Sequence, residues 1–417
     1  MEKIIKTKTF YQSVVTSSAT IINGLLGVTF YILVARILGP VEFGMVTVAL
    51  TTLTLIADMA TIGADTGIVR FVGKYYQKDK IKALRFLKLG FKLKAIVAAI
   101  VFSVGWFTAP LAASLIFGKP ELTMPLRYAV AGAAGMLVFS FTTSALQAMQ
   151  KFWTWGLINI LANSLRLGAI VFLATVGLLS LDLTLASYIA CIFLGFFTSL
   201  LFLPNFFKAK GEDAYAKEFL HYNKWVGAFV VVAALSGRLD TFMATKLLSL
   251  GEVGIYGVAT GLAAVGSQVV AGITTVVAPK LAGFESDVKA IIYLKKLQML
   301  SLGLGFAAVI FGIPIGYFMI KTLYGPQFVG SIFPLSILII SQAIFIISIP
   351  AHSSVIYYFG YPKLFVYISI VHLAIIGGLG WVLITNMGYV GAAITVLVGN
   401  ISNFLIPAVW ALRKFKK

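Results

Sequence analysis

The chain has 417 residues, of which 60% are hydrophobic and 11% charged, with 33 Lys and Arg against 14 Asp and Glu for a formal charge of +19. A soluble domain averages about 25% charged residues, so a soluble enzyme or binding module is excluded. The positive charge does not point to nucleic acid, because most of it falls in loops on one side of the apolar runs, which is the signature of membrane orientation.

Apolar runs of about 20 residues recur along the whole length and predict twelve membrane-spanning helices. In chain order they fall at about 11–35, 44–69, 95–117, 127–149, 155–178 and 184–206, then at about 224–248, 254–279, 298–321, 331–359, 364–386 and 388–411. The basic start MEKIIKTKTFYQ leads into a run too long for a signal-peptide core and without a small-residue cleavage site, so the first span is expected to be retained. Lys3, Lys6, Lys8, the segments 70–94, 208–224, 280–296 and 413–417, Lys151 and Lys363 hold most of the basic residues, and the opposite side holds Arg36, Lys119, Arg127, Lys246 and Lys321. Both termini are therefore expected in the cytoplasm of a multi-pass, all-α protein of the cell membrane. The segment 80–94, KIKALRFLKLGFKLK, has apolar residues at helical spacing among lysines and is expected to lie along an anionic leaflet. Cys191, the one cysteine, sits in an apolar run as a small hydrophobe.

Half the chain repeats the other half. VARILGPVEFGMVTVALTTL around Arg36 matches ATKLLSLGEVGIYGVATGLA around Lys246 at a constant offset of 210, with Glu42 over Glu252 and Gly44 over Gly254. Arg70 and Lys280 keep the same offset. The duplication predicts two six-helix lobes, 1–210 and 211–417, of the kind that gives alternating access. Arg36, Lys246, Glu42 and Glu252 recur at outer helix ends and are the candidate outer gate, with snorkelling to the interface as the plain alternative for the cations.

Lipid offers polar side chains no partners, so polar stripes must face protein or water. Thr47, Thr51, Thr54, Asp58, Thr61 and Asp65 hold one face of the second span, and Gln12, Thr16, Thr20, Asn23 and Gly27 one face of the first. Shorter stripes are Ser140, Ser144 and Gln147; Asn159, Asn163 and Arg166; and Ser341, Ser348 and His352. Asp58 and Arg166 fall near mid-membrane, where an ion costs several kcal/mol unless paired or hydrated, so each either serves function or pairs with the other. Arg238 and Asp240 are two apart, face different ways on a helix, and cannot satisfy one another. No phosphate loop is present, since Gly73-Lys74 precedes Tyr75 and position 68 is Ile68. No His/Cys metal cluster or GxSxG nucleophile motif occurs, and neither a metal nor a cofactor is expected.

Arg36-x-Leu38-Gly39, Glu42-Phe43-Gly44, Asp65-x-Gly67 and Arg70 before a basic inner loop, with Gly254-Ile255-Tyr256 and Ala278-Pro279-Lys280 in the second half, resemble the polysaccharide-transport branch of the multidrug/oligosaccharidyl-lipid/polysaccharide exporter superfamily. The resemblance implies two six-helix lobes in a V around a central cavity. It also implies flipping of a lipid-linked oligosaccharide, usually on a polyprenyl diphosphate, from the inner to the outer leaflet, without enzymatic chemistry. A diphosphate leaving water needs Arg or Lys partners, which makes Arg166 and Arg238, with Asn159, Asn163 and Asn23, the candidate substrate-binding residues. Asp58 and Asp65 are candidates for H+ or Na+ coupling. Expected partners are the lipid-linked oligosaccharide, membrane lipids and polysaccharide-assembly proteins, and no nucleic acid. The rivals are a cation-coupled multidrug exporter of the same superfamily, a membrane glycosyltransferase, ligase or polymerase, and a scaffold or scramblase.

Overall fold

The computed structural model describes residues 8–284, 286–361 and 363–415, so Lys3, Lys6, Lys416 and Lys417 of the expected inner charge lie outside the described residues. Helices run in the order α1 Lys8–Ala60, α2 Ala64–Tyr75, α3 Lys80–Leu111, α4 Thr123–Ala148, α5 Phe152–Thr175, α6 Leu181–Leu200 and α7 Ala216–Ser236. They continue as α8 Leu239–Leu247, α9 Leu250–Ala263, α10 Val265–Ala282, α11 Asp287–Met319, α12 Ile332–Ile347, α13 Ile349–Ser353 and α14 Lys363–Phe415, and no strand occurs among the described residues. Nine stretches of the described residues are long and apolar enough to cross a membrane. Two of them hold a non-helical glycine, Gly39 (φ 76°) in α1 and Gly388 (φ 61°) in α14, where two helices run on from one another. Only glycine takes such a φ without a steric penalty.

Several expected spans are interrupted rather than continuous. The second breaks at 61–63, where Ile62 (φ 45°) and Gly63 (φ 72°) are left-handed and the Ala64 amide donates to the Thr61 carbonyl at 2.8 Å. The expected 224–248 span breaks at Gly237 and Arg238, and 254–279 passes from α9 to α10 through Ala264. Hydrophobic periodicity measures apolar length and is blind to a local change of φ, so these breaks had no signature in the pattern.

Packing divides the chain into two compact units: Met1–Leu38 with Met45–Ala234, and Gly39–Gly44 with Leu235–Lys417. The expected lobes describe the sequence duplication; by packing, α7 goes with the first unit. In that unit α4 is the hub, its most apolar window 67% buried against 11% for α3. Its sequence explains this. Gly132 lets the Leu53 side chain approach to where a Cβ would be 2.3 Å from Cδ1, and small-residue faces are how membrane helices come close. At one end of the unit Phe71, Phe86, Phe141, Phe206 and Phe219 form an aromatic core.

That core corrects the reading of 80–94. Ala83, Phe86, Leu87, Leu89 and Gly90 are buried among protein side chains, so the apolar face of the basic segment is spent on the core rather than on lipid. Lys88 reaches Glu212 at 3.0 Å and the Ala209 carbonyl at 2.7 Å, tying the linker before α7 to α3.

A second trace of duplication is structural. In the first unit α3 ends in a π-turn at Ala112–Phe117, left-handed Gly118 and a 3-10 turn opening on Pro120. In the second unit α11 ends in a π-turn at Ile320–Tyr324, left-handed Gly325 and a 3-10 turn opening on Pro326. Polar residues of the second unit tie helices together: Asn400 Nδ2 donates to Ser341 Oγ at 2.9 Å, and His352 Nε2 lies 2.8 Å from the Asn403 carbonyl.

Candidate functional site

In the first unit α1, α5 and α6 bring together an amide pair and a cation. Asn163 Nδ2 donates to Asn23 Oδ1 at 2.7 Å across 140 residues of sequence. One turn along the same face of α5, the Arg166 guanidinium lies over the Tyr188 ring at 3.7 Å and within 6.0 Å of the Phe30 centroid. Phe30 is two turns from Asn23 on α1, and it meets Tyr188 edge-on at 5.6 Å. Cations bind ring faces through the quadrupole, so Arg166 is held by aromatic surface and keeps its forked donors for another partner. Its Nε is buried and has no hydrogen-bond partner among the described residues. The ion pair weighed between Asp58 and Arg166 is not formed; Asp58 is exposed.

Both amides of α5 bond back along their own helix, Asn163 Nδ2 to the Asn159 carbonyl at 3.0 Å and Asn159 Nδ2 to the Trp155 carbonyl at 2.8 Å, and it is Asn163 that also reaches Asn23. Much of the threonine content of the stripes behaves likewise: Thr16, Thr20 and Thr54 donate to carbonyls one turn back. Back-bonding of that kind satisfies a hydroxyl in an apolar setting without any cavity.

Asp65 sits at the centre of a second network. Lys94, 1% exposed, donates to Asp65 Oδ1 and to Ser140 Oγ; Ser144 Oγ donates to Asp65 Oδ1 at 3.0 Å, and Thr61 Oγ1 to Oδ2 at 2.8 Å. Two short stripes, 61–65 and 140–144, thus converge on one carboxylate. Lys94 was expected in an inner loop and is instead buried, since Asp65 and Ser140 supply the partners a buried ammonium requires. Asp65 therefore already carries a cation from the protein itself.

In the second unit Arg238 occupies the break before α8, half-buried at the N-cap position. Asp240 is buried and accepts from the Tyr256 hydroxyl of α9 at 2.5 Å. Tyr256, which the polar stripes did not flag, is the hydroxyl donor that Asp240 finds on α9.

Of the four candidate gate residues, Arg36, Glu42 and Lys246 are exposed, and Glu252 forms a capping box with Ser249, its Oε2 accepting from the Ser249 amide at 3.0 Å. The closer contact lies beside them. A Cβ on Gly44 would stand 1.9 Å from the Leu250 carbonyl oxygen, and one on Gly254 would stand 2.0 Å from the Pro40 carbonyl oxygen. Leu250 and Gly254 are Pro40 and Gly44 displaced by the repeat offset, so the two motif copies cross reciprocally within the second unit. Phe43 closes over Phe328 beside the crossing, with ring centroids 5.8 Å apart.

The family profile described as "Polysaccharide biosynthesis protein" matches residues 11–284. No curated protein matches the chain significantly by sequence. Solved structures show the fold. An inward-facing multidrug resistance MATE family transporter of the MOP superfamily superposes with a TM-score of 0.76 at 15% identity, over 97% of this chain and 98% of that one. The lipid II flippase MurJ, in an inward closed conformation, also gives 0.76, at 17% identity over 97% of this chain and 88% of that one. A MOP superfamily transporter from Pyrococcus furiosus, described as having a binding pocket of reverse polarity, gives 0.70 at 14% identity over 97% and 94%. The fold is shared with these transporters, and the protein is a multi-pass membrane protein.

Proposed function

The chain belongs to the polysaccharide biosynthesis protein family, and on that premise we propose that it flips a lipid-linked oligosaccharide of the polyprenyl-diphosphate type from the inner to the outer leaflet of the cell membrane by alternating access. The observation that carries the reading is Arg166. A guanidinium resting on Tyr188 and Phe30, next to the Asn23–Asn163 pair, suits a cargo with an anionic diphosphate and a hydroxyl-rich glycan. Charge-assisted, forked hydrogen bonds compensate the phosphate for lost water, and amides exchange donors and acceptors with sugar hydroxyls. Arg238, at its helix break, is the second cation of the proposed path, and Asn159 borders the same face of α5. Arg36, Glu42, Lys246 and Glu252 would rim the outer gate. Asp58 and Asp65 are the proposed coupling carboxylates for H+ or Na+, and at Asp65 the incoming ion would compete with Lys94. Polysaccharide-assembly proteins would take the product at the outer face.

The test is flipping of a fluorescent polyprenyl-diphosphate oligosaccharide in proteoliposomes. Arg166→Ala should abolish it at normal protein level, and Arg166→Lys should retain part, since a point charge replaces a fork. Normal flipping by both Arg166→Ala and Arg238→Ala would reject the cationic path. Transport of an organic cation that depends on Asp58, without glycolipid flipping, would move the protein to the multidrug exporter reading.

A further inference from the structure

Asp65, Lys94, Ser140 and Ser144 come from three helices, α2, α3 and α4, and meet beside the left-handed Ile62–Gly63 break. Lys94 stands about 21 Å into α3, counting from Lys80 at 1.5 Å per residue, too deep for its ammonium to snorkel back to the helix start. That ammonium is held by oxygens. Asp65 Oδ1 and Ser140 Oγ accept from it, and Ser140 gives its own proton to the Leu137 carbonyl at 3.1 Å, which leaves its lone pairs to the cation. Ser144 Oγ at 3.0 Å and Thr61 Oγ1 at 2.8 Å donate to the two oxygens of the same carboxylate and fix its orientation. Carboxylate and hydroxyl oxygens are also the ligands that hard metal cations take. One carboxylate balances one positive charge, and a surplus is costly inside a membrane, so the set is matched to a monovalent cation.

The ligands flank a break in the chain. Thr61 stands before it and Asp65 after it, and the Ile62 φ of 45° is costly for a β-branched residue. In secondary transporters, broken helices of this kind hold coupling ions. Here the two sides of the break are joined by the Thr61–Asp65 hydrogen bond, and the cation ties that carboxylate to α3 and α4. The Asp65 side chain is 32% exposed and that of Lys94 1%, so the carboxylate is reachable from outside while its cation is supplied from the protein side.

We propose that this is a monovalent-cation site whose ion belongs to the chain: the Lys94 ammonium occupies the position that a dissolved Na+ would take at Asp65. With that position filled, Na+ does not act at Asp65, and removing the ammonium uncovers a Na+ site there. The bearing on transport rests on the coupling role proposed for Asp65. The test reads ion binding to the purified protein, so a failure of flipping and a failure of the site give different results.

Full-length wild type, Lys94→Ala, Asp65→Asn and the double variant are purified in detergent and melted in sodium chloride and in N-methylglucamine chloride. Equal ionic strength, about 0.15 M, keeps screening the same. The quantity read is the difference in melting temperature between the two salts. In Lys94→Ala sodium should raise that difference above the wild-type value by about 2 °C or more, the shift expected of a ligand that binds only the folded state. The double variant should lose the gain, and Asp65→Asn alone should leave the wild-type value unchanged. Lys94→Gln keeps most of the stem and replaces the alanine variant if that one does not fold; it should show the same gain. Lysine variants with no gain in sodium would reduce the network to a structural ion pair. A gain that survives Asp65→Asn would put the ion elsewhere, and a wild-type sodium response that Asp65→Asn abolishes would show that Lys94 does not hold the ion's position. Each of these three results overturns the proposal.

Discussion

Alanine at Gly44 would place a methyl 1.9 Å from the Leu250 carbonyl oxygen. Carbon-to-oxygen contacts across close helix pairs settle at about 3.3–3.6 Å, so the crossing would have to open by roughly 1.4 Å. The obstruction is backbone, which cannot rotate away as a side-chain end can. Overpacking of this kind costs about 1–3 kcal/mol. Gly254→Ala meets the Pro40 carbonyl in the mirrored arrangement, at 2.0 Å, and should cost about the same, 1–3 kcal/mol. Once one alanine has opened the crossing, the second finds space already made. The double variant should therefore fall short of additivity by at least about 0.5 kcal/mol, the coupling expected of residues sharing one contact. Unfolding in detergent, followed by near-ultraviolet circular dichroism, measures all three, and Gly261→Ala is the control because nothing lies within 4 Å of its Cβ. Neutral single variants, or strictly additive ones, would refute a reciprocal crossing.

Three further outcomes follow from the buried polar groups. Lys94→Met leaves the partly exposed Asp65 without its cation and should destabilise by about 1–3 kcal/mol in thermal unfolding, while adding Asp65→Asn should recover much of the loss. Tyr256→Phe removes the donor that reaches the buried Asp240 and should cost about 1–3 kcal/mol by the same measurement. Glu212 is held below its ordinary carboxylate range first by a backbone hydrogen bond and then by Lys88, so its contribution is present in full above the unfolded value and fades as pH falls through the lowered folded value. Proteolysis of the 208–215 linker should accelerate only on acidification into that window, and Glu212→Gln should flatten the profile.

The architecture could be read from the sequence because its determinants are long: apolar runs of bilayer length, charged loops on one side and a repeat at one offset. Part of the site was legible for a related reason. Asn159, Asn163 and Arg166 recur at helical spacing, and the structure brings two of them to Asn23 and Tyr188. Asn159 and Asn163 both bond back to their own helix while Asn163 also reaches Asn23, and periodicity cannot tell those cases apart. Lys94 was hidden by its neighbours, since five lysines and arginines in 80–92 made the segment read as an amphipathic strip along an anionic leaflet. Tyr256 and the Gly44–Gly254 crossing owe their meaning to partners far away in sequence, and no local pattern carries that.

The first unit handles two cations in opposite ways, and the contrast bears on which one does work. An ion taken from water must recover its solvation from the protein, from a ligand or from residual water. Lys94 recovers it from Asp65 and Ser140 at 1% exposure, so nothing is left for it to bind and moving it would strand a carboxylate. Arg166 is only half-buried and recovers part of it from the Tyr188 and Phe30 faces, which leave the in-plane donors of a guanidinium uncommitted. An aromatic seat positions a cation without neutralising it, whereas a carboxylate seat does both. A diphosphate crossing the membrane would gain little from the lysine and much from the arginine. Moving a carboxylate to Arg166, as Tyr188→Glu would do, should therefore silence flipping while keeping the cation in place. Undiminished flipping by that variant would show that the charge at Arg166 serves packing alone.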